Sequence, residues 1–523
     1  MRALSRSRSR IGPTLAVLVM VSLTGLTNIA TGIPLAPTFT PTAQSPITAG
    51  TRPVAIVAAL FTADAFPDIA IADEGNGTSA SSVATRAGSA TGTFSTTVGT
   101  AGTGIGPSAM VTGYFNTGVA RDLIVANRGS NTITSLFGDG TGAFPTSRST
   151  SVGNSPSALA SGDLNGDALT DLVVANGGDA NISVLRQRGT SGSFTTFNCS
   201  SCAGTLATGT SPSAVALADI NHDGRLDLLA TGASNALTYR LGAGDGSFGT
   251  STSQPVGASP MAIGVGDLNG DTYADVMVAN QGVGTVSVFL GSAAGTLTAQ
   301  PTLTGSAASA PDALAVGDLN GDSIPDLAVA YSGSASVGIF PGNGNGTFAA
   351  ATTLSAGTAP SSIAEADLNG DGRSDLVVTN KTANSATVFL NTTATSTTIT
   401  VPASLDFGSA AVGNTIAPIS QTVTVASNAP TGYQLSISRS AFSGGDIPQS
   451  LSLTTVPTGG TRTLAVGTTS LLADSAIGIG QRAGSVTPAG GDAWGIATGL
   501  GPIPFGIEGT RTSTITYTVA TLP

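Results

Sequence analysis

Short apolar stretches alternate with segments rich in glycine, asparagine and aspartate along most of the chain, and this order recurs about every fifty residues. Each recurrence has an apolar stretch after a proline, an acidic loop, a second apolar stretch such as DLVVAN, an alternating stretch such as NISVLRQ, a glycine-rich turn and a Ser/Thr-rich stretch. Stretches of this length, bounded by turn residues, are typical of antiparallel strands. The pattern therefore predicts repeated units of four short strands.

Seven copies of the unit can be recognised. Five match one another closely, at residues 155–176, 211–232, 259–280, 310–331 and 359–380, and two weaker copies precede them at 51–73 and 106–127. Four-stranded units repeated in this way close most naturally into a β-propeller, because a ring leaves only short strand edges exposed. The last copy lacks a fourth strand, and residues 38–50 resemble the missing piece. We therefore predict a seven-bladed propeller over residues 38–391, in which the N-terminal strand closes the last blade.

The pattern changes from about residue 398 onward. The acidic loops end, and alternating apolar stretches continue to TSTITYTVATLP at the C-terminus. This alternation predicts an immunoglobulin-like β-sandwich over residues 398–523, although the Cys…Trp…Cys signature of antibody domains is absent. The fold class is thus all-β, a seven-bladed propeller followed by a β-sandwich.

Composition narrows the possible functions. Charged residues make up 9% of the chain, the net charge is −11, and Lys381 and His222 are the only lysine and histidine. A chain this acidic lacks the clustered basic residues that nucleic-acid binding needs. A single histidine also leaves little room for histidine-based catalysis or a multi-histidine metal site.

Residues 1–30 predict an export signal. Four arginines among the first ten residues precede an apolar stretch over 11–26 and small residues near Ala30. The alternative is an uncleaved N-terminal anchor; no second transmembrane segment follows. In an exported chain, Cys199 and Cys202 of FNCSSC favour a local disulfide, and the alternative is a redox C-x-x-C pair. The expected localisation is secreted or on the cell surface.

The five close copies share the motif D-x-N-x-D-x-x-x-D, which predicts about five Ca²⁺ sites. Calcium prefers six to eight oxygen ligands, and acids at positions 1, 3, 5 and 9 of a tight loop can face one centre. The predicted side-chain ligands are Asp163, Asn165, Asp167, Asp171, Asp219, Asn221, Asp223, Asp227, Asp267, Asn269, Asp271, Asp275, Asp318, Asn320, Asp322, Asp326, Asp367, Asn369, Asp371 and Asp375. The position-7 backbone carbonyls that would add an oxygen are those of Leu169, Arg225, Tyr273, Ile324 and Arg373.

Two alternatives to calcium exist. Asp-Asn-Gly loops are common in ordinary turns, but three carboxylates in each of five loops would repel one another without a cation. Magnesium is disfavoured because it demands stricter octahedral geometry. The two weaker copies lack the acid set and are predicted to bind no calcium; the corresponding residues are Leu60, Thr62, Asp64, Asp68, Tyr114, Asn116, Gly118 and Asp122.

The D-L-N-G-D-x-x-x-D loops and the G-x-G-x-F turns together resemble the FG-GAP/VCBS repeat family, which includes the propellers of integrin α subunits. The turns end at Phe94, Phe144, Phe194, Phe248 and Phe348. The resemblance spans residues 38–391 and implies a calcium-binding, integrin α-like seven-bladed propeller. It does not imply one function, because the family includes adhesion proteins, lectin-like modules and enzyme accessory domains.

The favoured function is an exported, calcium-binding adhesion or ligand-binding module whose partner is an extracellular glycan or protein. The sequence contains no phosphate-binding Gly-Lys loop, no G-x-S-x-G and no H-E-x-x-H, so no enzymatic activity is expected. The alternatives are an extracellular enzyme on a propeller scaffold, of the polysaccharide lyase or phosphodiesterase type, and a structural surface or matrix component. Polar residues after the second strand of each copy predict either a ligand-facing ring or left-handed turns; they are Asp73, Asn127, Asn176, Gly232, Asn280, Tyr331 and Asn380.

Overall fold

The computed structural model describes residues 36–189, 191–197, 205–208, 211–305 and 309–393 with their side chains, and the backbone of a strand at Leu15–Val21 and of strands from Thr397 onward. Every regular element in these parts is a β-strand. The chain divides into two compact units. The first holds nearly all of residues 32–393, and the second holds residues 1–31 and 394–523. The predicted disulfide between Cys199 and Cys202 lies outside the described residues.

The first unit is a seven-bladed β-propeller, as predicted. Blade 1 comprises Pro53–Ala59, Asp68–Asp73, Ala80–Arg86 and Thr97–Ile105. Blade 2 comprises Pro107–Gly113, Asp122–Asn127, Thr132–Phe137 and Thr146–Ser151. Blade 3 comprises Pro156–Gly162, Asp171–Asn176, Asn181–Arg188, and an outer strand in two pieces, Ser193–Thr196 and Thr205–Ala207. Blade 4 comprises Pro212–Ala218, Asp227–Gly232, Ala236–Arg240 and Thr252–Pro255.

The remaining blades follow the same order. Blade 5 comprises Pro260–Gly266, Asp275–Asn280, Thr285–Leu290, and the outer pieces Thr298–Ala299 and Leu303–Thr304. Blade 6 comprises Pro311–Gly317, Asp326–Tyr331, Ser336–Phe340 and Thr352–Ser355. Blade 7 comprises Pro360–Ala366, Asp375–Asn380 and Ser385–Asn391. In every blade, adjacent strands pair antiparallel.

Blade 7 is completed by the N-terminal part of the propeller. Phe39–Pro41 and Ile47–Thr48 pair antiparallel with the third strand of blade 7 and form its outer strand. The ring is also joined near its axis, where the hydroxyl of Ser361 in blade 7 donates a hydrogen bond to the carbonyl of Pro53 in blade 1 at 2.9 Å. These contacts link residues more than 300 positions apart in the chain.

The apolar core lies between adjacent blades. The second strand of every blade is buried along its whole length, which explains its continuous apolar sequence, whereas outer strands such as TSRSTS are exposed and polar. One apolar cluster fills each of the seven blade junctions. At the junction that closes the ring, Ile56 and Ile69 of blade 1 pack with Val377 and Val388 of blade 7 and with Ile47.

The second unit contains two sheets. The strand order of one sheet is Ser404–Ala410, Leu15–Val21, Thr514–Thr521, Gly432–Arg439, Ile477–Ala483 and Thr461–Leu464. The order of the other is Thr397–Thr400, Ile416–Ser427, Asp492–Leu500, Gln449–Thr455 and Thr469–Leu471. Part of the apolar stretch predicted to be an export signal is therefore a strand of the first sheet. The immunoglobulin-like assignment stays a prediction.

Candidate functional site

Each acidic motif forms the hairpin between the inner and second strands of its blade. The inner strand ends immediately before the first aspartate, and the ninth position is the first residue of the second strand, as at Gly162, Asp163 and Asp171 in blade 3. The seven hairpins therefore all lie at one end of the propeller, which we call the acidic face. The opposite end, where each inner strand begins with a proline, is called the proline face.

The ninth-position aspartate accepts the same pair of backbone hydrogen bonds in all seven blades. It is completely buried, and both of its carboxylate oxygens accept backbone hydrogen bonds. Oδ2 accepts the N–H of position 2 at 2.7–3.1 Å, from Phe61, Phe115, Leu164, Ile220, Leu268, Leu319 and Leu368. Oδ1 accepts an N–H from the end of the third strand or just beyond it at 2.7–2.9 Å, from Gly88, Gly138, Gln187, Gly242, Gly291, Gly342 and Asn391. We call this aspartate the clamp.

The clamp was missed as a structural element by the sequence reasoning, which assigned it only a metal-binding role. The signal was present, because Asp68 and Asp122 keep the ninth-position acid in the two copies that lack the rest of the set. The apolar residue at position 2 was missed too. It is buried in every blade, and in blades 1 and 2 it contacts the G-x-G-x-F phenylalanine of the next blade edge to face, as Phe61 does with Phe144 at 5.8 Å.

The first, third and fifth positions close the hairpin on itself. In blade 5, Asp267 accepts the N–H of Gly270 at 2.7 Å through Oδ1 and that of Thr272 at 2.9 Å through Oδ2. The Asp271 carboxylate accepts the N–H of Tyr273 at 2.9 Å and a side-chain hydrogen bond from Asn269 at 2.9 Å. Asp163 and Asp367 accept the corresponding backbone hydrogen bonds in blades 3 and 7. In blade 4, Asp219 accepts the N–H of Gly224 at position 6 through Oδ2 and that of Asp223 at position 5 through Oδ1.

Two backbone positions of each acid-rich hairpin, in blades 3–7, adopt positive φ, and no residue of the blade 1 or blade 2 hairpin does. Position 4 does so at Gly166, His222, Gly270, Gly321 and Gly370, with φ from 58° to 80°. Position 6 does so at Ala168, Gly224, Thr272, Ser323 and Gly372, with φ from 63° to 81°. Residues with a Cβ, such as Ala168 and Thr272, are strained at positive φ. The rest of the hairpin therefore holds them in this conformation, which turns backbone N–H groups toward the first aspartate.

The charge state of the clamp depends on its surroundings. Burial, with a smaller contribution from the two neighbouring carboxylates of each hairpin, raises the pKa of Asp171, Asp227 and Asp275 to about 6 and that of Asp375 to about 7, although backbone hydrogen bonds oppose the shift. In blade 2, burial alone raises the pKa of Asp122, since no such neighbours are present. In the acid-rich hairpins the backbone hydrogen bonds to the clamp therefore do not fully offset burial and the repulsion between carboxylates.

The five hairpins do not form ready-made carboxylate cages. Among the described residues, no three His, Cys, Asp or Glu side chains are grouped so as to hold a metal ion. Arginine approaches the fifth-position carboxylate in two blades: Arg186 lies 2.8 Å from Asp167, and Arg373 lies 3.0 Å from Asp371. The predicted calcium ligands are thus brought into shared hairpins, with several of their oxygens directed at backbone N–H groups.

The two acid-poor hairpins carry apolar side chains at the same face. Leu60 in blade 1 is 46% exposed, and Tyr114 and Val119 in blade 2 are 51% and 97% exposed. The Arg121 guanidinium lies 5.0 Å from the centre of the Tyr114 ring, as in a cation–π contact. In blade 1, the Thr62 hydroxyl donates to the clamp carboxylate at 3.0 Å.

The seven polar positions predicted to follow the second strands are the last residues of those strands, and the interpretation of them as left-handed turns was wrong. None of the seven has positive φ, and the four asparagines are completely buried. Asn127 donates to Thr132 and Thr134 on the neighbouring strand at 3.2 and 2.9 Å, and accepts the N–H of Gly104 at 3.1 Å. The amide thus joins two strands of its own blade to the outer strand of blade 1, and it is buried rather than facing a ligand.

Asp73 occupies the same place in blade 1. It is 7% exposed, and one carboxylate oxygen has no hydrogen-bond partner. Burial raises the pKa of Asp73 to about 6, although a backbone hydrogen bond from Gly50 and the positive charge of Arg86 oppose the shift. Blade 1 therefore holds an acid where four other blades hold a neutral amide.

The strand topology already assigns the fold, and the comparisons with known proteins add the family. The FG-GAP-like repeat model matches residues 120–174, 163–230, 219–278, 267–329 and 318–378. No curated protein sequence matches the chain. Among solved structures, a crystal structure of BBS1N in complex with ARL6DN, soaked with lead, is 14% identical with a TM-score of 0.47 over 68% of this chain and 96% of that one.

Two lyase structures are similar to the same degree. A streptogramin B lyase structure is 12% identical, with a TM-score of 0.45 over 68% of this chain and 98% of that one. A selenomethionine-substituted virginiamycin B lyase from Staphylococcus aureus is 11% identical, with a TM-score of 0.42 over 68% and 99%. These values are too low to bear on activity. The chain is therefore a seven-bladed β-propeller that carries five FG-GAP-like repeats.

Proposed function

We propose that the chain is an exported, calcium-stabilised β-propeller that binds an extracellular glycan or protein ligand. The propeller is a rigid ring with loops at both ends, and loops on such scaffolds commonly carry recognition. Within the described residues, no helix is long and apolar enough to cross a membrane. The basic and apolar N-terminal residues support export.

The observation that carries the calcium part is the contrast between the two kinds of hairpin. All seven keep the clamp, but only blades 3–7 add acids at positions 1 and 5. Those extra acids are unnecessary for the clamp and raise the pKa of Asp171, Asp227, Asp275 and Asp375, which burial has already raised. A bound cation would remove this charge repulsion, and hard oxygen donors in a flexible loop suit calcium.

The donor set fits the ion in its chemistry. In each acid-rich hairpin, positions 1, 5 and 9 would supply carboxylate oxygens, position 3 an amide oxygen and position 7 a backbone carbonyl. The ion would supply positive charge that holds these groups together, so binding would stabilise the hairpin. Some carboxylate oxygens would exchange backbone N–H groups for the metal.

Ligand binding is supported by a cavity of about 410 Å³ at the proline face, far along the inner strands from the acidic hairpins. Its volume lies in the range of small-molecule sites, which is roughly 300–1,000 Å³. The two ends of the propeller would then have separate roles, stabilisation at the acidic face and recognition at the proline face.

Calcium titration of the chelator-treated full chain tests the proposal. We expect isothermal titration calorimetry to give about five equivalents of Ca²⁺ per chain. At calcium 10–100 times the dissociation constant, each site would add about 1.4–2.7 kcal/mol to the free energy of unfolding, so the melting temperature should rise markedly. An identical melting curve in calcium and in excess EDTA would contradict the calcium part.

Export has its own test. Expression of the full chain in a bacterial host should place the protein outside the cytoplasm, whereas a chain without residues 1–30 should stay inside, because the basic and apolar segment directs export. Fractionation followed by immunoblotting measures both. Equal cytoplasmic retention of the two chains would contradict export.

A further inference from the structure

The cavity at the proline face lies among blades 2–5, and its origin is visible in the repeat. The residue following each second strand donates its backbone N–H to the residue before the inner-strand proline, so this residue holds the same place in every blade. The seven residues are Glu74, Arg128, Gly177, Ala233, Gln281, Ser332 and Lys381. Blades 3 and 4 have glycine and alanine there, and this loss of side-chain volume leaves the cavity open.

The opposite side of the same ring is filled. Glu74 of blade 1 forms ion pairs with Lys381 of blade 7 at 2.8 Å and with Arg52 at 3.0 Å. Asp312 of blade 6 is hydrogen-bonded to Gln281. The charges of Glu74, Arg52 and Lys381 therefore offset one another on this side, whereas the side formed by blades 2–5 is concave.

The cavity is lined by serines of two kinds, those whose hydroxyl already donates a hydrogen bond within the protein and those whose hydroxyl does not. Ser157 donates its hydroxyl to the Pro212 carbonyl at 2.8 Å, and Ser213 donates to the Pro260 carbonyl, so both oxygens can only accept further hydrogen bonds. Ser155, Ser211 and Ser259 also line the cavity, and their hydroxyls make no hydrogen bond within the described part of the chain. The cavity thus offers both donors and acceptors.

One cation borders this hydroxyl-rich surface. Arg128 is exposed at the edge of the cavity, and its guanidinium has no ion pair or side-chain hydrogen bond among the described residues. Among the described residues that line the cavity there is no carboxylate, although the chain has 30 acidic residues. Pro212, Pro260 and Met261 add an apolar surface.

We propose that this cavity binds a carboxylated sugar, such as a uronic acid residue of an acidic glycan. A guanidinium binds a carboxylate through two parallel hydrogen bonds, and serine hydroxyls pair with sugar hydroxyls in either direction. The apolar surface suits the C–H face of a pyranose ring. This assignment rests on the proposed ligand-binding function and names its ligand class.

The test uses the calcium-saturated full chain and two probes that differ only in the acid group. Cellobiouronic acid carries a carboxylate, and cellobiose is its neutral counterpart. We expect measurable binding of the acid by isothermal titration calorimetry and binding of cellobiose at least about tenfold weaker. Equal binding of both probes, or binding of neither, would overturn the proposal.

Variants locate the site. Arg128→Gln should weaken binding of the acid about tenfold or more and leave cellobiose binding unchanged. Ala233→Gln gives blade 4 the residue that blade 5 has at this position, Gln281. The longer side chain should fill the cavity and abolish binding of both sugars. Arg148→Gln, on the exposed outer strand of blade 2, is the matched control and should bind like the natural chain. Full binding by Arg128→Gln or by a folded Ala233→Gln variant would overturn the assignment.

The two proposals fail separately. Loss of the calcium-dependent rise in melting temperature overturns calcium stabilisation, and it says nothing against binding of the acidic sugar. A normal calcium response together with no sugar binding overturns the cavity assignment alone. Melting curves of each variant show whether it remains folded.

Discussion

Blades 1 and 2 and blades 3–7 build nine-residue hairpins around the same clamp, but with different side chains and, at positions 4 and 6, a different backbone conformation. The clamp aspartate is buried and bound to the same two backbone positions in all seven blades. Acids at both position 1 and position 5 occur only in blades 3–7, because blade 1 has Leu60 and Asp64 at these positions and blade 2 has Tyr114 and Gly118. The hairpin can therefore form without those acids, so stability of the fold and affinity for a metal are separable properties of one motif.

The largest expected effect comes from removing a clamp. Asp122→Ala in blade 2 leaves the buried N–H groups of Phe115 and Gly138 without an acceptor, and each such group costs about 1–3 kcal/mol. We expect the free energy of unfolding, measured by thermal unfolding, to fall by about 2–6 kcal/mol, equally in calcium and in EDTA. Asp275→Ala in blade 5 should lose more in calcium than in EDTA. A calcium-dependent loss for Asp122→Ala would break the comparison.

A smaller effect is expected from removing one metal ligand and keeping the clamp. Asp271→Asn retains an oxygen for the Tyr273 N–H but loses a charge facing the proposed ion. Calorimetry should show one calcium equivalent fewer, and the melting curve in calcium should correspond to a loss of about 1.4–2.7 kcal/mol at 10–100 times the dissociation constant. In EDTA the variant should match the natural chain. Asp139→Asn, an exposed acid outside the nine-residue hairpins, is the control and should keep every calcium equivalent.

Asp73 allows a second comparison between blades, at the proline face, where four other blades have asparagine at this position. The test is the pH dependence of the free energy of unfolding. The pKa of Asp73 rises from 3.8 to about 6 on folding because of burial, so the folded state binds the proton more tightly and stability falls as pH rises through this window. Asp73→Asn removes the penalty, and we expect it to stabilise the protein by about 1–2 kcal/mol at pH 7 and by nothing below about pH 4. Thermal melts from pH 3.5 to 7.5 measure this. The reciprocal Asn127→Asp should destabilise at pH 7, and a pH-independent difference for Asp73→Asn would count against the assignment.

The smallest effect on stability is expected from restoring the acid set in blade 2. Tyr114→Asp with Gly118→Asp recreates D-x-N-x-D-x-x-x-D, because Asn116 and Asp122 are already in place. We expect one additional calcium equivalent and a gain in calcium of less than about 1.4 kcal/mol, since the substitutions also remove the Arg121–Tyr114 contact. The neutral pair Tyr114→Asn with Gly118→Asn is the control. An unchanged calcium stoichiometry in the acidic variant would show that hairpin sequence alone does not make a site.

The sequence by itself determined the strand units, their number and the acidic hairpins, because period, turn residues and apolar stretches are local properties of a repeat. Only the tertiary structure decided the role of the clamp, since its partners include an N–H beyond the third strand, 16 residues away at Gly291 from Asp275. The buried Asn127 likewise acquires its partners only when strands pair. The cavity depends on Gly177 and Ala233 being small while Arg128 and Met261 of neighbouring blades border them, and closing the ring is what places these distant residues side by side.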